Sequence, residues 1–171
     1  ILTGFVTDDE GTAHAIENNR IAALLQIAET QKPLVVFCAY KFNVQEIKKA
    51  LRKQFPESKI AEFHGDVSNT ARNESVRQFQ AGEADFFLAT SAAAKGLTLH
   101  RASTMVYYSN NYSLETRLQS QDRIHRIGQE KKCTYIDLVV PNTVDDAILK
   151  RLEEKKELSS MVLDDLIEII K

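Results

Sequence analysis

LVVFCAY (residues 34–40) is a continuous apolar run rich in β-branched and aromatic side chains, entered through Lys32-Pro33 and left at Lys41. A strand with one wet face alternates apolar and polar residues. A short run without alternation suits a strand covered on both faces, the usual condition inside a parallel sheet. Four more strands are read further on: KIAEFHG (59–65), a short one; DFFLAT (85–90), another buried one; TMVYYS (104–109); and CTYIDLVV (133–140), stopped by Pro141. Between them the apolar period changes. Val44, Ile47 and Leu51 mark a helix ending before Pro56, and Val76 and Phe79 one that Ser68 caps and Gly82 closes. Leu114, Leu118, Gln121 and Ile124 predict a helix from Ser113, and Val144, Ala147, Ile148 and Leu152 one after Thr143. Ahead of the first strand, Ile21, Leu24, Leu25 and Ala28 predict a helix over 13–29.

Strand and helix in steady alternation predict an α/β fold: a parallel sheet of about five or more strands, helices on both faces, right-handed crossovers. The division is an irregular acidic lead-in at 1–12, the α/β domain at 13–152, and a charged, amphipathic helical tail at 153–171. In such sheets ligands bind beyond the carboxyl ends of the strands. The loops to search are therefore 40–43, 64–68, 90–98, 109–113 and 140–143.

Composition narrows the function classes. The chain has 171 residues, 22 basic and 24 acidic, for a net charge of −2. That length builds one domain with a real core, and the balance excludes a globally basic nucleic-acid binder. The total hides an uneven distribution. Residues 1–30 and 145–171 are acidic, whereas 31–144 carry sixteen basic and eleven acidic residues, a net of +5. No apolar run of about 18 residues predicts a membrane span, and no basic-then-apolar leader is visible. A start at Ile1 rather than Met is what a piece of a longer protein would show. Cys38 and Cys133 stand far apart, outside any C-x-x-C pair, and His14, His64, His100 and His125 form no H-x-x-x-H spacing. Two free thiols and no metal site are expected.

The loops lack both common phosphate cradles. There is no G-x-x-x-x-G-K-[ST], no Gly-Lys pair, and no G-x-G-x-x-G after a strand. Asp8-Asp9-Glu10 follows no apolar strand and reads as a solvated acidic end. Three segments are more informative. QSQDRIHRIGQ (119–129) sets Arg123 and Arg126 on one face if helical, a fork suited to phosphate oxygens, though an exposed helix with scattered charges would look similar. LATSAAAKGLTL (88–99) ends a strand in small residues and hydroxyls that let a bulky ligand approach, or let a turn pack on the sheet. FHGDVS (63–68) brings His64 and Asp66 to a strand end, where a structural role is the plainer one.

Taken in this order at these strand ends, the three segments resemble the second RecA-like lobe of superfamily 2 helicases and translocases. VVFCAYK (35–41) is similar to motif IV, FHGD with Arg72 to the loop and helix after it, LATSAAAKGLTL to motif V and QSQDRIHRIGQ to motif VI. The R-x-H-R-I-G-Q form, with TVDDAILKRLEEK (143–155), points to the Swi/Snf-like branch. The resemblance spans about residues 15–165 and makes 13–152 a helicase C-terminal RecA-like domain.

The resemblance implies half of an ATP-driven motor. ATP with Mg2+ would be held mainly by an N-terminal RecA-like lobe of the same protein, and this lobe would close over it. Arg123 and Arg126 match the arginines that reach the γ-phosphate, with Arg126 the finger. Gln119 matches a residue that helps hold the lobe interface, and Gly96 and Thr98 match positions near the ribose. Lys41, Gly65, Thr90, Ser91 and Lys95 match positions that grip a nucleic-acid backbone, duplex DNA above all. Tyr112 stands where a tryptophan is often found and could stack on a sugar or base. His64 and Asp66 would shape their loop. The chain departs from the branch at Ala93 and Ala94, where glycines are usual, and at Thr98, where Asn is usual. The stretch YYSNNYSLETRLQ (107–119), which holds Tyr112, departs from the larger remodelling enzymes and implies a compact bacterial or viral member rather than a chromatin remodeller, working in the cytoplasm, or in the nucleus if eukaryotic. The competing expectations are a non-catalytic α/β docking module and a lobe kept only to bind nucleic acid. A receiver-like domain needs acids after its first strand, where Cys38-Ala39-Tyr40-Lys41 stands.

Overall fold

The computed structural model describes residues 5–8, 10, 13–15, 19–94 and 96–170. Five strands form the central sheet: β3 (Leu34–Phe37), β4 (Ile60–Phe63), β5 (Phe86–Ala89), β6 (Thr104–Tyr107) and β7 (Thr134–Asp137). They are parallel throughout, in the order β4-β5-β3-β6-β7. The α/β expectation is met, and β3, the run that suggested it, lies at the centre. All four of its residues are buried. Leu34 and Val36 point into one apolar layer and Val35 and Phe37 into the other, which is why the run has no polar alternation.

The helices divide between those layers. α1 (Arg20–Thr30) and α2 (Lys41–Gln54) cover one face through Leu24, Ala28, Val44, Ile47 and Leu51. On the other face lie Phe79 of α3 (Asn69–Gln80), Ala93 of the 3-10 turn Ser91–Ala94, and Ile124 beyond α4 (Leu114–Gln121). Ser68 and Ser113 cap α3 and α4, accepting from the Ala71 and Thr116 amides. Gly82, at φ +83°, supplies the left-handed backbone that closes the α3 turn.

The sequence expectations miss at three places. The helix expected over 13–29 begins only at Arg20, because Ala13–Ala15 (β2) pairs antiparallel with Phe5–Thr7 (β1) inside the supposedly irregular lead-in. Asn19 holds the N-cap position without a side-chain cap bond; asparagine favours caps and turns over helix interiors. The helix expected to run from Ser113 through Ile124 stops at Gln121. Finally, α5 (Val144–Ile170) runs unbroken across the 152/153 boundary, so the tail continues the domain's last helix.

The start of α5 is tied to α1 across 125 residues of sequence. The Arg20 guanidinium donates to the Asp145 carboxylate and to the Tyr108 carbonyl at 2.8 Å, and Asp145 also accepts from the Val140 amide. Both side chains are at least nine-tenths buried. Losing one partner would leave a buried charge uncompensated, at about 3–5 kcal/mol.

Candidate functional site

Beyond α4 the chain runs in turns from Asp122 to Gly128. Arg123 and Arg126 nevertheless stay on one side, through tertiary bonds rather than a helical face. Ile124 is fully buried between them, and the Leu99 amide donates to the Arg123 carbonyl at 2.8 Å. Arg123 Nε donates to the Gln119 carbonyl at 2.7 Å, and its Nη1 to the Leu97 carbonyl at 3.2 Å. Arg126 Nη1 donates to Thr98 Oγ1 at 2.8 Å and to the same Leu97 carbonyl at 3.4 Å. Every one of these acceptors is neutral. Gly96, at φ +77°, starts the turn that presents Leu97 and Thr98; a Cβ there would meet nothing within 4 Å, so backbone sign rather than space asks for glycine.

Both arginines line an open groove of about 880 Å³, with Gln121, His125, Lys131 and Lys132. Among the described residues Asp122 is the one acid along it. Ile127, at the rim, is 99% exposed. Gln129 braces the groove floor by donating to the carbonyls of His100 (2.9 Å), Ala102 (2.7 Å) and Ile124 (3.2 Å). No sequence role was assigned to Gln129, although it closes the motif that carries the arginines. Gln119 Nε2 donates to Glu115 within its own helix. Among the described residues no three His, Cys, Asp or Glu side chains gather to hold a metal ion. A groove lined by cations repels one, so Mg2+ does not fit on this lobe's own side chains.

The second group lies at the carboxyl edge of the sheet. Phe63, Ala89, Phe37 and Tyr107 end their strands in register, so the loops beyond them meet side by side. Lys41, at the start of α2, pairs with Asp66 across the edge. The Lys41 hydrogen bond holds the Asp66 carboxyl below the usual carboxylate range. Gly65 sits against Lys41, with room for a Cβ only 3.2 Å from Lys41 Cε, and its carbonyl accepts from Arg72. Thr90 is buried at 6% exposure and its amide bonds the Phe63 carbonyl, so of the two hydroxyls Ser91 is the accessible one. Tyr112 is 49% exposed, and its carbonyl accepts from Lys155 of α5. Lys95 lies outside the described residues. His64 is buried, and its carbonyl accepts from the Val67 amide and from Arg72.

One further network has no forerunner in the sequence reading. Arg117 of α4 forks onto Asp137 of β7, donates to Asn110, and lies 3.5 Å from the centre of the Tyr107 ring. It fixes the 109–113 loop to the helix that leads into the arginine turns. Both cysteines are free, and burial pushes the Cys38 thiol far up.

Comparison with known proteins places this geometry. Residues 18–128 match the family model described as the helicase conserved C-terminal domain. The chromatin-remodeling ATPase INO80 of Drosophila melanogaster is 35% identical over 102 residues, 58% of this chain and 6% of that protein. The transcription regulatory protein SNF2 of Saccharomyces cerevisiae is 32% identical over 108 residues, 61% of this chain and 6% of that protein. The chain thus spans well under a tenth of these two relatives. Both are eukaryotic and lend no support to a bacterial or viral origin. Among solved structures, the C-terminal part of the Fun30 ATPase domain superposes with a TM-score of 0.71 at 18% identity, covering 80% of this chain and 45% of that one. The C-terminal domain of the DEAD-box protein Dbp5 superposes with a TM-score of 0.69 at 19% identity, covering 81% and 79%. Those two likenesses establish the RecA-like fold, and the match over 18–128 establishes that the chain belongs to the helicase conserved C-terminal domain family.

Proposed function

We propose that the chain is the C-terminal motor lobe of a Swi/Snf-like, ATP-dependent DNA translocase. The observation that carries this reading is the pair of guanidiniums, Arg123 and Arg126, brought to one groove, whose hydrogen bonds among the described residues go to neutral acceptors. Carbonyl and hydroxyl acceptors orient a guanidinium without cancelling its charge. Both arginines therefore keep their attraction for a polyanion. An N-terminal RecA-like lobe supplies the nucleotide and its Mg2+. When the cleft closes, Arg126 lies against the γ-phosphate and offsets the charge that builds as the phosphoryl group passes to water. Arg123, anchored to Gln119 and Leu97, holds a second phosphate oxygen. Gln119 and Gly96 shape this face of the cleft.

The carboxyl edge takes the nucleic acid. Lys41, the Gly65 backbone, Ser91 and Lys95 meet phosphates, Thr90 holds the floor beneath them, and Tyr112 stacks on a sugar or base. Contacts of this kind read backbone and not sequence, so binding is sequence-independent and weakens with salt. Duplex DNA is the preferred track, and translocation without strand separation is the output. The site of action is the nucleus of a eukaryotic cell.

The test is Arg126→Ala in the full-length, two-lobed protein. ATP turnover should fall by about 10³-fold, within the range that arginine fingers contribute elsewhere, while ATP affinity stays within about threefold. Unchanged turnover sinks the finger assignment. An ATPase stimulated by RNA rather than duplex DNA sinks the DNA assignment.

A further inference from the structure

The resemblance in sequence puts Thr98 near the ribose of the nucleotide. Its hydroxyl is engaged elsewhere: it accepts from Arg126 Nη1 at 2.8 Å. We propose that Thr98 is a positioning residue for Arg126, acting on the triphosphate through that guanidinium and not by touching the sugar. The inference rests on the phosphate-groove reading of Arg126.

Three features support it. First, Arg126 is exposed, and its hydrogen bonds to described residues are the Thr98 hydroxyl and the longer contact to the Leu97 carbonyl. An exposed arginine otherwise samples many rotamers, and one short bond to a fixed oxygen selects among them. Second, that oxygen is fixed. Leu97 and Leu99 are buried on either side of Thr98, and the Leu99 amide is bonded to the Arg123 carbonyl. The left-handed turn at Gly96 sets the direction in which the segment enters. Third, a hydroxyl orients Arg126 while leaving its charge intact, which a carboxylate at the same position would not do. Arg123 needs no such partner, because its Nε is already held by the Gln119 carbonyl at 2.7 Å.

The experiment compares Thr98→Val, Thr98→Ser, Arg126→Ala and the Thr98→Val/Arg126→Ala double variant in the full-length protein, with ATP and 3′-deoxy-ATP as substrates. Thr98→Val should lower kcat by about tenfold with KM for ATP within about twofold, the mark of an interaction realised in the transition state. Thr98→Ser, which keeps the hydroxyl, should restore turnover. The ratio of kcat/KM for ATP over 3′-deoxy-ATP should be the same in Thr98→Val as in the parent. The double variant should be no slower than Arg126→Ala alone, as residues acting as one unit require. A Thr98→Val protein that turns over normally but no longer tells ATP from 3′-deoxy-ATP overturns the inference in favour of a ribose contact. Additive losses in the double variant overturn it too. If Arg126→Ala is crippling and Thr98→Val is silent, only this inference falls. If Arg126→Ala is itself silent, the finger reading falls first.

Discussion

The groove beside α4 and the carboxyl edge of the sheet both present cations, but the fold treats those cations in opposite ways. Arg123 and Arg126 are held by carbonyls and a hydroxyl, and keep their charge. Lys41 is held by the Asp66 carboxylate, and gives its charge up until a competitor arrives. The first arrangement suits a partner whose charge must be met at once and in one geometry, as in phosphoryl transfer. The second suits a grip that is made and released repeatedly: on the proposed reading, each backbone phosphate would displace the Asp66 carboxylate, which would recapture the lysine afterwards. The proposed motor function calls for one site of each kind.

The sharpest way to break this contrast is to give the groove the edge's chemistry. Thr98→Asp places a carboxylate where a neutral hydroxyl now meets Arg126 at 2.8 Å. The new ion pair should hold the guanidinium as well as before while cancelling its charge. ATP turnover of the full-length protein should fall by about 10²-fold, most of what removing a charge-stabilising donor costs elsewhere, and the melting temperature should stay within a few degrees of the parent. A fully active Thr98→Asp protein would show that charge at Arg126 is not what the groove supplies.

What the sequence made legible follows the range of the interactions. The buried strand run, the cap at Ser68, the helix start at Ser113 and the Gly82 stop are local, and each is where its residues say it should be. The arginine pair was legible as a pair, but for a reason that does not hold: the three-residue spacing implied a helical face, and the chain there is a series of turns pinned to residues 97–102. Periodicity cannot distinguish a helix from turns that tertiary bonds hold on the same side. The Gln129 brace and the Arg117–Asp137 fork were invisible because their partners lie some 20–30 residues away. The Arg20–Asp145 pair spans 125 residues, and a lone arginine at the first turn of a helix gives no hint that its partner opens the last one. Thr98 is expected near the ribose, and in the structure its hydroxyl accepts from Arg126.

The edge can be broken more gently. Lys41→Glu replaces a cation that is 55% exposed and should leave the fold intact. The full-length protein should then bind duplex DNA about tenfold more weakly at low salt. The slope of log affinity against log salt should flatten by about one, the value of one lost phosphate contact. ATP turnover at saturating DNA should be little changed, because nothing in the groove is touched. A loss of turnover as large as that of Thr98→Asp would mean that the two regions are one site.

The smallest effect tests whether Asp66 competes with the track. Asp66→Asn removes the internal anion and frees Lys41, so duplex DNA affinity should rise by about threefold and its salt slope steepen, since one more counterion is released per binding event. The pH dependence follows from the direction of the Asp66 shift. The carboxyl lies below its ordinary value, first because Lys41 donates a hydrogen bond to it and then because the positive charges of Lys41 and Arg72 lie close to it. A depressed carboxylate keeps its pair above the unfolded value of about 3.9 and loses it only as pH falls through the lower, folded value. Between pH 8 and pH 5 the pair is intact, and the affinity ratio of Asp66→Asn to parent should stay flat. A ratio that collapses toward one by pH 5 would mean that Asp66 has already let go of Lys41 there. The edge would then hold its lysine as freely as the groove holds its arginines.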